Sequence, residues 1–597
     1  MSLSQGSLGE PAGSQAGAAL DWGATQGAAE RSWLERLALI LLFLLAASLP
    51  FETEAGLALG PLLLTNLEAL MLACVLLAGL LALRGGPAGW PPPRAWLLLW
   101  GLYAAGLLLA GLAAPEFQAN ALKAAGRSGL TLLLGLSVPQ IVRRRLDLHW
   151  LAAGLAAGGL AAAVIGLGEL AAGRPLAWLE PLRTQATAVG PFMRLSGSFN
   201  HANLAAMYFE ATLPLLVIGS WLAHRRGRRP LALLAAGAAF IFLLASVLTY
   251  SRSSFATIAL SNGLAAGLLG YASDGRRRAL ARVFLLPAGL VLLILAVNAW
   301  ISPALRLRLE TVGDNEWYKL RFEVPAEISA AAQAVVQAEV ELANQGELTW
   351  RSDGETPIRV GGVWLRQDGS QAELGEARWS LPRPVAPGDS IALSLPLQAP
   401  SRPGLYWLEW DLVQEGVTWF SAKNGLVTRT LVKVGEVAGE QPPVAAGSST
   451  TLRLAAAVVP GRTALWAVAL RQLAARPLLG IGLDNFRLTY GRELGWPSWN
   501  DSIHTNNWYL ETLVSLGLLG SLPFLAWLGL LAFELFRTIR RPAVHAWQVA
   551  VAVGLAAFML HGLLDYFMLF NATAALFWLL VGGWLVVRPG EAPAAAG

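Results

Sequence analysis

RLSGSFNHANLAAMYFEATLPLLVIGSWLAHRRGRR, residues 194–229, decides the fold. It opens on an arginine, passes through a turn rich in Gly, Ser and Asn, runs largely apolar from 201 to 222, and ends in Arg225, Arg226, Arg228 and Arg229. A stretch of that length matches the roughly 17–25 residues that an α-helix needs to cross a hydrocarbon core. Arginines gathered in the short loop that follows mark the cytoplasmic side. One segment thus reads as a membrane span with a direction.

Working outward, the pattern recurs. Further apolar runs lie near 34–50, 57–83, 95–114, 121–142, 148–172, 230–249, 252–272, 283–301, 508–535, 545–566 and 570–587. A chain of 597 residues that is 55% hydrophobic and 14% charged, with a mean hydropathy of +0.51, is a polytopic α-helical membrane protein of about 12 spans and not a soluble one. Arg84 and Arg94, Arg143 to Arg145, Arg276 to Arg278 with Arg282, Arg537, Arg540 and Arg541, and Arg588 fall in alternate gaps, while 50–56, 115–120 and 564–572 hold no Lys or Arg. Both termini are therefore expected inside. The net charge of +5 is spread over short loops, which sets nucleic acid aside as a partner. Cys74 is the single cysteine, so no disulfide or Cys-based metal site can form within the chain. Residues 1–30, rich in Ala, Gly, Ser and Gln, read as a disordered cytoplasmic tail without a cleavable signal, and 589–597 as a second short tail.

This orientation puts 173–200, the corner 249–254, and everything from 302 to about 506 outside. The first nine spans occupy 31–302 and the last three 507–588. Between them, 315–437 changes character: VVQAEVELANQGELTW (335–350), SIALSLPLQ (390–398) and LYWLEWDLVQEGVTWF (405–420) alternate apolar and polar residues between Asn-Gly, Asp-Gly and Pro-Gly turns. Such alternation predicts short antiparallel strands in an all-β sandwich, with Trp350, Trp364, Tyr406, Leu408 and Trp410 in its core. The runs NQGELTW and PGLYWLEWDLVQEGVTWF give it a resemblance to immunoglobulin-like accessory domains. Residues 438–450 read as a Pro/Gly/Ser linker, and 451–506 as an extracytoplasmic helix-loop segment that carries His504.

Three residues break the charge rule at the outer membrane edge. Arg194 precedes a turn whose free backbone N–H groups open a helix, an arrangement that holds anions, phosphates above all; an interfacial arginine reaching for water is the plain alternative. Arg252 sits in a corner of a few residues, LTYSRSSFATIAL (248–260), where it points into the bundle, along its rim, or to lipid headgroups. Arg in place of Lys favours bidentate anion binding. His504, in NDSIHTNNWYLETLVSLGLLG (500–520), can accept a proton near neutral pH. Glu511 is expected on the helical face below it, two turns away and too distant to orient the ring. Glu210 in the sixth span and Asp565 at the outer end of the eleventh, one turn after His561, are intramembrane acids suited to positioning the arginines or to catalysis. No metal-ligand spacing and no Gly-rich nucleotide loop is present.

RLSGSFNHANLAAMY (194–208), LTYSRSSFATIAL (248–260), LWAVALRQLAARPLLGIGLDNFRLTY (465–490) and HTNNWYLETLVSLGLLGSLPFL (504–525) together resemble the O-antigen ligase and polymerase superfamily. The resemblance implies a GT-C-like bacterial plasma-membrane glycosyltransferase that takes a glycan from a polyprenyl diphosphate carrier on the outer face, without metal or nucleotide cofactors. By motif, it implies that Arg194 and Arg252 hold the diphosphate, with Asn200, Asn203 and Asn507 as further substrate contacts, and that His504 activates the acceptor. The family loop normally lacks a β insert, so lipid, glycan and protein all stay open as acceptors, and ligase, polymerase and protein O-oligosaccharyltransferase as activities. A transporter or flippase for lipid-linked glycans is the reading from another class; internal repeats, its usual mark, are not seen.

Overall fold

The computed structural model describes residues 31–588 except 54–55, 60–61, 86–89, 175, 180, 184–187, 190–191, 272–273, 302–304, 306–308, 310–316, 354–356, 368–370, 416–417, 422–425, 436–450, 454–459 and 496–498. The expected tails and the 438–450 linker lie outside the described residues.

Each apolar run of the sequence contains a helix: α1 (Trp33–Ser48), α2 (Asn66–Gly85), α3 (Arg94–Leu112), α4 (Gln118–Ile141), α5 (Leu148–Ala172), α6 (Ala202–Arg225), α7 (Arg229–Leu248), α8 (Arg252–Gly270) and α9 (Gly275–Ile301) precede the insert. After it come α10 (Arg462–Ala475), α11 (Phe486–Glu493), α12 (Trp508–Ile539), α13 (Ala546–His561) and α14 (Asn571–Val587). Eight of them, α2, α3, α5 to α9 and α12, are long and apolar enough to cross a membrane, and α13 and α14 are shorter apolar helices. The chain is a polytopic helical membrane protein with an inserted β region.

Boundaries follow local chemistry. Ser32 caps α1 in a capping box with Glu35, which satisfies N–H groups that a helix start leaves unpaired. The second apolar run does not begin as helix: Leu57–Leu59 (β1) and Leu62–Leu64 (β2) pair antiparallel, and the helix starts only at Asn66; a second short ladder, Ala188–Val189 (β3) with Phe192–Met193 (β4), precedes α6. The sequence between the strands is Gly60-Pro61, a turn signal that ends helical propagation. Likewise α13 stops at His561, so Asp565 belongs to the following loop and not to a span, its N–H donating to His561 O at 3.1 Å. The bundle packs tightly: Trp96 and Trp100 of α3 meet Trp527 of α12 at 5.8 and 5.4 Å, and Trp527 stacks on Trp578 of α14 at 5.3 Å. Large rings here knit three helices where lipid offers no hydrophobic drive for association.

The insert forms two sheets. One has the order β10 (Ser390–Gln398), β7 (Val335–Asn344), β5 (Leu320–Glu323); the other runs β14 (Thr451–Arg453), β13 (Leu426–Val434), β11 (Gly404–Gln414), β8 (Ile358–Arg366), β9 (Gln371–Ser380), with β12 (Thr418–Trp419) on β11 and β6 (Glu327–Ala330) on β13. Residues of both sheets, among them Leu342, Leu395, Trp364 and Trp410, share one buried cluster. Strand β10 alternates exposed and buried along its whole length, the period-two pattern its sequence carries. Trp350, Trp364, Tyr406, Leu408 and Trp410 are all buried. Asp411 lies in this core, accepting from the backbone N–H groups of Leu412 and Ser421; burial pushes its carboxyl up to about 7.

Candidate functional site

The segment 194–201 folds against the α7–α8 corner. Leu195 N donates to Leu248 O at 2.9 Å, and Arg194 Nε donates to Thr249 O at 2.7 Å. Its Nη2 donates to Asn203 Oδ1 at 2.7 Å, and Asn203 Nδ2 donates to Asp565 Oδ2 at 2.7 Å. Arg194 is only 4% exposed, and its planar guanidinium is held both by a backbone carbonyl and by a side-chain amide. Arg252 follows Thr249 by three residues as the first residue of α8, half-buried. The corner thus brings the two arginines to the same end of the bundle. Asn200 is exposed in the turn, and His201 caps α6 by accepting from Asn203 N at 3.1 Å.

Two turns below Asn203, roughly 10 Å along α6, Glu210 Oε1 meets His561 Nδ1 at 2.7 Å, both fully enclosed. The Ser254 hydroxyl lies beside the same carboxylate. This buried pair ties α6, α8 and α13 together under the arginines; breaking such a pair typically costs about 3–5 kcal/mol because the survivor is left buried and uncompensated.

His504 sits between two side chains. Its Nδ1 lies 3.6 Å from Glu511 Oε1, and its ring packs edge-on against Tyr566 at 5.4 Å. Glu511 Oε2 accepts from Thr505 N at 2.9 Å, and Trp466 Nε1 donates to Thr505 O at 2.9 Å. The expectation that Glu511 is too distant to orient the ring is therefore corrected. Residues 504–507 are not helical: Asn506 takes a left-handed φ of 52°, Asn507 caps α12 by accepting from Leu510 N, and the chain before the cap doubles back over the first turn. Asn507 Nδ2 also donates to Leu563 O at 2.9 Å, so this side chain fixes the α12 start to the α13–α14 loop.

That loop closes a chain of contacts: Tyr566 N donates to Asp565 Oδ1 at 2.9 Å, and Asp565 holds Asn203. Thr249, Arg194, Asn203, Asp565, Tyr566 and His504 are thus linked in sequence by direct contact.

Helix α12 is broken at Gly517, with φ 59° and ψ −170°. The loop RPLLGIG (476–482) takes up the freed backbone groups: Ile481 N and Gly482 N donate to the carbonyls of Val514 and Ser515 at 3.0 and 2.9 Å, and Leu518 N and Leu519 N donate to Pro477 and Leu478 at 2.7 and 3.0 Å. Non-helical backbone within an apolar helix persists only where protein supplies such partners. The approach is so close that a Cβ on Gly480 would stand 2.5 Å from Val514 O, and one on Gly517 would stand 2.4 Å from the Leu478 carbonyl carbon. Both glycines have positive φ, so two independent constraints exclude a side chain.

Sequence reasoning names Glu511 only as out of reach, and misses Tyr566 and a third buried pair. Arg183, 3% exposed, bonds Glu169 of α5 and the Ser196 hydroxyl, bracing the segment that carries Arg194. Its signal was available: an acid inside the fifth apolar run and an arginine in a loop expected outside, the criteria that singled out Glu210 and Arg194. Among the described residues, no three His, Cys, Asp or Glu side chains are grouped as metal ligands.

Fold and site define a polytopic membrane protein with a buried ionic site at one end of its helical bundle. Residues 412–525 match the family described as O-antigen ligase. The matched segment runs from within β11 through α10 and α11 to the middle of α12, so it includes His504, Glu511 and Gly517 and leaves Arg194 and Arg252 outside. The family points to a glycosyl-transferring enzyme of polysaccharide biosynthesis in a bacterial membrane. No curated protein matches the chain. A solved structure of alkylpurine DNA glycosylase AlkC from Pseudomonas fluorescens, bound to DNA containing an abasic site analog, aligns at 10% identity over 57% of this chain and 100% of that chain with a TM-score of 0.13, too low to bear on fold or function.

Proposed function

We propose that the chain transfers a glycan from a polyprenyl diphosphate carrier to an acceptor hydroxyl at the outer face of the bacterial plasma membrane. In this reading α1, α4, α13 and α14 also cross, giving twelve spans in a GT-C-like body with both termini cytoplasmic, and the two sheets form an immunoglobulin-like sandwich outside. The observation that carries it is the continuous contact from the Arg194 anchor to the His504 ring, made by residues from four separate parts of the sequence.

The acceptor oxygen attacks the anomeric carbon, the bond from that carbon to the diphosphate oxygen breaks, and the electron pair leaves on the lipid diphosphate. Negative charge grows on the leaving group, where Arg194 and Arg252 stabilise it; removing one preorganised donor of this kind typically costs about 10²–10³ in rate. His504 takes the acceptor proton. Its Nδ1 faces Glu511, leaving Nε2 for the hydroxyl, and Glu511 stabilises the imidazolium that forms. A gap of 3.6 Å exceeds a hydrogen bond, and such contacts commonly shorten only when substrate is bound. Attack opposite the diphosphate inverts the anomeric configuration, and no metal or nucleotide enters. Asn203, Asp565, Glu210 and Asn507 position these groups, and Asn200 borders the donor at the exposed turn.

The test is reconstitution with a labelled polyprenyl-diphosphate glycan and lipid, glycan or protein acceptors, comparing the wild type with His504→Ala. A loss of about 10²–10⁴-fold in transfer is expected for a general base, and the labelled product names the acceptor. Wild-type turnover in folded His504→Ala refutes the assignment.

A further inference from the structure

Beyond the reacting centre, α10 carries a second polar feature. Trp466 binds it to the backbone of the His504 segment, and five to ten residues further on, roughly 8–15 Å along the helix, Arg471, Gln472 and Arg476 line an open cleft of about 230 Å³. Glu116 of the α3–α4 loop and Arg492 and Glu493 of α11 form the opposite wall. The volume is below the range of about 300–1,000 Å³ that holds drug-sized ligands and suits a single sugar ring.

The charges there are unevenly used. Glu116 accepts from Arg492 Nη1 at 3.0 Å and from Nη2 at 2.9 Å, a bidentate pair that, with Arg476 nearby, holds the Glu116 carboxyl below its usual range. Among the described residues, Arg471 and Arg476 make no side-chain hydrogen bond or ion pair. Gln472 is more than nine-tenths buried. Its Nε2 donates to Thr489 Oγ1 at 3.0 Å, and the Thr489 hydroxyl is itself committed to Asn485 O, so the amide cannot turn over without losing a bond. Its Oε1 is buried with no donor among the described residues. Buried acceptors are nearly always paired, and this one asks for a hydroxyl or N–H hydrogen. Glu116 and Glu493 line the same cleft, but neither is bonded to Arg471 or Arg476, and two guanidiniums with no bonded carboxylate ask for an anion.

We infer that this cleft is a subsite for an acidic sugar residue, its carboxylate or phosphate on Arg471 and Arg476 and a ring hydroxyl donating to Gln472 Oε1. Resting on the proposed transfer, the sugar belongs to the acceptor, because the cleft adjoins the His504 segment through α10 and is built apart from Arg194 and Arg252. Because Oε1 is shielded in the free protein, the Gln472 amide rotates toward the ligand when the sugar binds.

The test uses the full chain in nanodiscs of zwitterionic lipid and isothermal titration with trigalacturonate, neutral galactotriose, glucose 6-phosphate and inorganic phosphate. Trigalacturonate or glucose 6-phosphate is expected to bind at least tenfold more tightly than galactotriose, and the tighter of the two identifies the anion. Arg471→Gln and Arg476→Gln should each weaken that binding about tenfold, as charge-assisted bonds do. Gln472→Leu, checked for fold by circular dichroism, should weaken the acidic sugar and leave inorganic phosphate unchanged. Equal binding of galactotriose, or unchanged affinity in the double arginine variant, overturns the site; inorganic phosphate matching the sugars with Gln472→Leu silent overturns the sugar. His504→Ala should keep full cleft binding. If turnover survives that substitution while cleft binding still needs Arg471 and Arg476, the transfer assignment falls and the subsite stands.

Discussion

Replacing Asn203 with Leu, close to it in size, removes both hydrogen bonds that join Arg194 to Asp565. Each is 2.7 Å long and each has a charged partner, the class of bond worth about 1.5–3 kcal/mol. Arg194 keeps its second anchor on Thr249 O, so the guanidinium is loosened and not lost. If the lost bond is expressed wholly in the transition state, kcat/KM for the lipid-linked donor falls about 10–100-fold at about 1.4 kcal/mol per factor of ten, less than the ~10²–10³ expected for Arg194→Ala. The assay is initial-rate transfer in nanodiscs, with fold checked by thermal melting. Asp565→Asn supplies the second arm of a double-mutant cycle: two residues acting through one bridge should be non-additive by at least about 0.5 kcal/mol. A folded Asn203→Leu variant within threefold of wild type, or strict additivity, refutes the idea that this bridge positions Arg194.

Glu511→Gln should lower turnover about tenfold while leaving donor affinity unchanged, since it takes away only the charge that supports the His504 imidazolium; unchanged turnover would detach Glu511 from the reaction. Arg252→Lys should weaken donor binding and slow transfer, because a point charge cannot reproduce the bidentate fork, and wild-type kinetics would make Arg252 an interfacial anchor. Gly517→Ala puts a Cβ 2.4 Å from the Leu478 carbonyl carbon at φ 59°, so the melting temperature should drop with a strain cost of about 1–3 kcal/mol or more; an unchanged melting temperature would mean that the break relaxes freely. For Asp411, burial raises the folded carboxyl to about 7, so the folded state keeps a proton that the unfolded chain releases near ~4. Its stabilising contribution is full below about pH 4 and is lost as pH rises toward 7, up to ~4 kcal/mol across the window. Protection factors of the β11 amides against hydrogen exchange, which remove the intrinsic rise of exchange with pH, should therefore fall over that range in the wild type and not in Asp411→Asn, and an equal slope in both would refute it.

Much of the site was legible before folding. Arg194, Arg252 and His504 stand out because charge at an apolar boundary is costly and needs a reason, and Glu210 and Asp565 stand out by the same rule. What could not be read was partnership. A helix through 504–507 puts Glu511 two turns from His504 and out of reach, whereas Asn507 caps the helix and the preceding residues fold back onto Glu511 Oε2. Asn203, which the sequence offers as a substrate contact, bridges residues 9 and 362 positions away, and no local pattern encodes the longer of these separations.

By itself, then, the sequence determined which segments form apolar helices, where the β region interrupts them, and which side chains are out of place for their surroundings, because hydropathy and alternation are sums over neighbouring residues. Only the tertiary structure decided that Glu210 pairs with His561, that RPLLGIG repairs the broken α12, and that Arg194 and His504 end on one chain of contacts. Hydrogen bonds and ion pairs act over about 3 Å, and only the packed bundle brings to that distance residues that lie hundreds of positions apart.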